Sequence, residues 1–125
     1  MTQEEKQLLL QDLCARLPCG VRVKYFDMEY PFGSEPVILT SYLLYNRWEN
    51  IQDVKPYLRM MSSMTMEEQR EYISAGRSMS PDNPSILVDW LNAHHFDYRI
   101  DPSTGKTLIE SNLAIEAPKD MYKNE

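Results

Sequence analysis

The residues best equipped for chemistry stand in one short run, SILVDWLNAHHFDYR at positions 85–99, which holds both histidines, His94 and His95, with Asp89 and Asp97 close by. An imidazole oriented by a carboxylate can act as a general acid or base, so His94 or His95 with Asp97 or Asp89 makes the candidate catalytic set. A metal fits less well. Consecutive helical residues point about 100° apart, so His94 and His95 do not readily converge on one ion. Cys14 and Cys19 would add two sulfurs, but the four residues between them include Pro18 and match no zinc-finger spacing. No metal ligand is assigned and no cofactor is expected. The chain has no nucleophile-elbow serine, no glycine-rich phosphate loop and no His-Glu-x-x-His. Cys14 falls inside an expected helix and Cys19 just past its C-terminus, the wrong end for stabilising a thiolate. Both are expected to be free thiols, buried or half-buried, because a disulfide needs α-carbons within about 7 Å.

Binding chemistry has more material to work with. Tyr25, Tyr30, Phe32, Tyr42, Tyr45 and Trp48 crowd one fifth of the chain, and such rings supply contact area at little entropic cost. Tyr30, Phe32, Tyr45 and Trp48 are the candidate binding residues, presented by a loop over residues 27–36 and the segment after it. The competing use of these rings is to fill the core of a small sheet. Met60, Met61, Met64 and Met66 pose the same choice between an adaptable docking patch and packing at a junction.

Composition narrows the classes. A chain of 125 residues makes one domain and buries roughly two thirds of its unfolded surface, so it needs no staple. With 42% hydrophobic and 26% charged residues it reads as globular. Its net charge of −6 and scattered lysines and arginines disfavour a grip on phosphate backbones, so nucleic acid is not an expected partner. No apolar run approaches the ~18 residues of a membrane span. The acidic start, MTQEEKQLLL, lacks a cationic secretory leader, and the expected location is the cytoplasm.

Several elements must position these residues. Residues 2–17 predict a helix opened by the capping box Thr2-x-x-Glu5, with Leu10, Leu13, Cys14 and Leu17 along its apolar face and Pro18 and Gly20 closing it. Residues 21–26 alternate as a half-buried strand, and residues 37–45, rich in β-branched and aromatic residues, predict its antiparallel neighbour. Pro56 leaves residues 51–59 between a helical turn and a third strand ending at Leu58. A second capping box, Thr65-x-x-Glu68, opens a helix from Met66 to about Ala75, closed by Gly76. After a loop over residues 78–84, Asn83 as N-cap and Pro84 start a helix with Ile86, Leu87, Trp90, Leu91 and His94 on one face. His94 is expected at its edge beside Trp90, with His95 solvated or capping a carbonyl. Residues 98–100 and 106–109 form a hairpin about the turn at 101–105, with a short helix over 104–111 as the alternative. Residues 113–117 make a last short strand, and 118–125 a polar C-terminal tail.

Three phrases, DVKPYLRMMSSMTMEE at 53–68, WLNAHHFDYR at 90–99 and LAIEAPKDMY at 113–122, resemble a family of small uncharacterised proteins of gut anaerobic bacteria and their mobile or prophage-like elements. The family passes quickly from Asp-Tyr-Arg into a glycine and a Leu-Ile pair, where this chain carries IDPSTGKTLIESN. The resemblance implies an accessory role in a mobile element and no particular chemistry. The expected fold is α+β: a small antiparallel sheet packed against two main helices in a single domain. The expected function is a non-enzymatic cytoplasmic interaction module that meets a protein partner through the aromatic loop. The alternative is a small hydrolase or metal-dependent enzyme using His94 or His95 with Asp97. The sequence assigns no oligomeric state.

Overall fold

The computed structural model describes residues 2–78 and 85–122. Its first helix, α1 (Gln3–Arg16), starts on the expected capping box: Thr2 Oγ1 accepts the Glu5 amide at 3.1 Å, and the Glu5 carboxylate accepts the Thr2 amide at 3.0 Å. The buried face is Leu9, Asp12, Leu13 and Arg16 rather than the face through Leu10 and Cys14, and Cys14 is exposed. That face carries an ion pair inward, which a search for apolar spacing alone misses. Gly20, at φ 72°, takes the left-handed turn into the sheet.

Strand β1 (Arg22–Tyr25) lies antiparallel to β2 (Val37–Ile38) and to β3 (Val54–Met60). Residues 51–59 do both of the things expected of them: a turn of 3-10 helix at Ile51–Asp53 leads directly into β3. Pro56 is tolerated within β3 opposite Val23. The segment at 37–45 departs from its prediction as a strand. Pairing stops at Ile38, and α2 (Ser41–Asn46) follows, capped by Thr40 Oγ1 accepting the Leu43 amide at 3.1 Å. A local cap thus outweighs β-propensity, and Leu44 turns in while Tyr42 and Tyr45 turn out.

The capping box at Thr65 and Glu68 opens α3 (Met66–Arg77), which runs through Gly76 to a cap at Ser78. Helix α4 (Ile86–Ala93) has Ser85 at its N-cap; the expected cap Asn83 and Pro84 lie outside the described residues. Two short strands, β4 (Phe96–Asp97) and β5 (Ile115–Glu116), both run parallel to β3. Among the described residues the fold is therefore α+β as expected, with four α-helices, and its five-stranded sheet is mixed rather than purely antiparallel. The hairpin expected after Arg99 shrinks to one bridge, Ile100 to Thr107.

The main core joins Leu9 and Leu13 of α1 to Val23, Val54 and Leu58 of the sheet, with Leu44, Leu108 and Leu113 around them. A smaller cluster holds Tyr57, Ala117 and, from within the expected tail, Tyr122; residues 123–125 of that tail lie outside the described residues. Tyr122 is 8% exposed, so the chain returns to the sheet at Tyr122 after the exposed Pro118, Lys119 and Asp120. Its hydroxyl accepts the Arg22 amide at 2.9 Å and donates to Tyr57 O at 2.8 Å, joining β1 to β3 just beyond their last paired residues.

Candidate functional site

The histidine run is divided by the end of α4. His94 caps the helix, its ring stacked on Trp90 with centroids 4.1 Å apart. Its Nδ1 lies 2.9 Å from Trp90 O, which makes Nδ1 the protonated nitrogen and leaves Nε2 3.6 Å from Glu71 Oε2. His95 takes φ 64°, the left-handed position after a helix end that glycine usually fills. It is 1% exposed and stacks on Tyr122 at 3.8 Å, so the expectation of a solvated ring fails. Its backbone is structural too: the amide donates to Asn92 O, and the carbonyl accepts from Arg59 of β3.

Asp97 turns to other work. Its two oxygens accept the amides of Leu108 and Ile109, at 3.2 and 2.9 Å. Burial pushes its carboxyl above the usual range, while those amides pull it back. Asp89 is exposed and holds Ser85 Oγ at 3.2 Å. The carboxylate beside His94 is thus Glu71 of α3, which sequence spacing gave no means of pairing with it.

His94 and His95 line a cleft of about 880 Å³ between α3, the end of α4, β3 and the chain after β5. Its one arginine is already committed. Arg59 forks onto Glu68 at 2.6 and 2.7 Å and lies 4.3 Å from the centre of the Phe96 ring. The hydrogen bonds from Arg59 hold the Glu68 carboxyl down to about 2. Among the described residues no group of three or more His, Cys, Asp or Glu side chains could hold a metal ion. Cys19 is half-buried, and burial raises its thiol.

The aromatic candidates are placed differently. Tyr25 is half-buried beneath the loop, while Phe32 is 91%, Tyr45 82%, Tyr42 79% and Trp48 51% exposed. Tyr30, at 38%, meets the Tyr25 ring edge-on at 5.7 Å. The elements beneath are well tied. Asp27 Oδ1 accepts the Tyr30 amide at 2.8 Å, and Tyr25 and Ser34 exchange hydrogen bonds across the loop base. Gly33, at φ 101°, lets the Lys24 stem lie against the backbone where a Cβ would collide with it. Arg47, the cap of α2, bonds Asp27 Oδ2 at 2.9 Å and covers the Tyr25 ring at 5.2 Å, fastening α2 to the loop. These two bonds hold the Asp27 carboxyl below its usual range, the Tyr30 amide most strongly.

No family model, curated protein or solved structure matches the chain. Among the described residues no helix is long and apolar enough to cross a membrane.

Proposed function

We propose that the protein acts as an interaction module that docks a protein partner on the aromatic face of loop 27–36 and α2. The observation that carries this reading is that Phe32, Tyr42, Tyr45 and Trp48 point to solvent from elements held by other residues. Exposed rings of this size cost solvation and contribute little to the core, whereas in a contact they are the side chains that carry binding energy. The partner is a protein rather than a nucleic acid, in keeping with the net charge of −6. An enzymatic use of Asp97 draws less support, because both of its oxygens are spent on backbone amides.

Affinity capture from extracts of the cells that make the protein tests the proposal. The wild type is compared with Tyr30→Ala/Phe32→Ala and with Tyr45→Ala/Trp48→Ala. Each variant keeps the wild-type fold, within about 0.5 kcal/mol for exposed positions. Partners held by the wild type are lost from one or both variants. Equal recovery by all three folded proteins would remove the aromatic face from the function.

A further inference from the structure

Helix α3 forms one wall of the cleft of about 880 Å³, yet none of its side chains is buried. Its half-buried residues are Glu68, Tyr72 and Ala75, and with Glu71 they follow the i, i+3, i+4, i+7 spacing of one helix face. Glu68 reaches Arg59 of β3, Tyr72 reaches Trp90, and Glu71 reaches His94. The helix is held by these pairs more than by apolar burial, and an element so held opens locally at low cost.

Two of the pairs keep their character near neutral pH. The Glu68 carboxyl sits at about 2, so its link to Arg59 stays charged on both sides, and the Tyr72–Trp90 contact is ring against ring. The third pair depends on a proton. His94 uses Nδ1–H on Trp90 O at 2.9 Å, which leaves Nε2 facing Glu71 Oε2 at 3.6 Å. With a neutral ring, two acceptors face each other and no hydrogen lies between them. A proton on Nε2 turns the same gap into an ion pair, and imidazole is the side chain whose charge ordinarily changes between about pH 5 and 8. The ring stands at the C-terminal end of α4, a place that suits a cation.

The other charges near His94 do not substitute for Glu71. Arg59 approaches the His94 carbonyl, at 3.4 Å, and is neutralised by Glu68. Glu67 of α3, Glu116 of β5 and Lys119 beyond it line the cleft as exposed side chains. Asp89, on the same helix as His94, holds Ser85 Oγ.

We propose that α3 is a proton-operated lid on this cleft, clasped to α4 when His94 carries its second proton and released when it loses it. The Arg59–Glu68 pair is the fixed end on which the helix swings. The device lies on different elements from the aromatic face and stands apart from that reading.

Amide hydrogen exchange of the full chain, read by mass spectrometry at about pH 5.5 and about pH 8, on either side of the imidazole range, tests the lid. Rates are corrected for intrinsic exchange and expressed for α3 relative to β3. In the wild type this ratio rises about two- to fivefold from the lower to the higher pH, the scale of one partly exposed ion pair. A glutamine in place of Glu71 offers the ring either its oxygen or its amide, so Glu71→Gln keeps α3 equally protected at both pH values. His94→Gln removes the titrating ring, and its ratio is also independent of pH. Glu71→Gln changes a side chain 50% exposed, leaves the fold intact and decides the matter by itself. A wild-type ratio that does not change with pH, or the wild-type rise retained in either variant, overturns the proposal.

Discussion

The two oxygens of Asp97 accept backbone amides from a segment more than ten positions along, so this carboxylate pins the 108–109 turn to the end of β4. Removing it would leave the two amides, one of them in buried Leu108, without their acceptors. Asp97→Ala should lower stability by about 2 to 3 kcal/mol, measurable by denaturant unfolding. Because burial raises its carboxyl, Asp97 binds protons more readily folded than unfolded. The stability linked to that shift is present at low pH and is lost as pH rises through its titration. Asp12 has a comparable duty in α1. Fully buried, it receives Arg16 Nε at 2.9 Å and Arg99 Nε at 3.2 Å, while Arg16 also reaches Phe96 O. Asp12→Ala strands a guanidinium with no exposure, and a loss of about 3 to 5 kcal/mol is expected in the same measurement. Neither duty was legible in the sequence. Asp97 beside two histidines reads as candidate catalysis, and the apolar spacing of α1 gives no sign of Asp12 or Arg16, because the partners that bury them lie far along the chain.

Among the elements, legibility followed the range of the interaction. The capping boxes at Thr2 and Thr65 are local, and both open helices as the spacing predicts. The inward return at Tyr122 was hidden for the opposite reason. Tyr122 binds residues 65 and 100 positions away, and a polar neighbourhood hides that. Tyr122→Phe removes the hydroxyl between Arg22 N and Tyr57 O and should cost about 1 to 2 kcal/mol, seen as a lower melting temperature. Full wild-type stability in that variant would mean that the C-terminal stretch does not close onto the sheet. Glu68 does two jobs, completing the cap of α3 and tying it to β3 through Arg59. Its carboxyl sits at about 2 instead of 4.5, so its contribution is complete above pH 4.5 and is lost as pH falls towards 2. In acid melts over that window, Glu68→Gln should flatten the fall in melting temperature relative to wild type.

Across the whole molecule, burial and exposure divide the side chains that the sequence put forward. Trp90 becomes the centre of a ring cluster, stacked on His94 at 4.1 Å and Phe96 at 5.8 Å and met edge-on by Tyr72 of α3 at 5.6 Å. The α+β class was readable because helix caps and the strand alternation at 21–26 are local signals. The outward turn of Tyr42 and Tyr45 was not, because it follows from a helix where β-propensity predicts a strand. A second exposed group, Met61 and Met66 with Ile73 of α3, lies on other elements and serves as an internal comparison. Oxidative footprinting of the chain, purified and then within extracts of the cells that make it, separates the two surfaces directly. If the aromatic face is where the protein meets its partner, Phe32, Tyr45 and Trp48 lose reactivity in the extract while Met66 and Ile73 keep theirs. Unchanged reactivity at those three rings, or protection confined to α3, would contradict it.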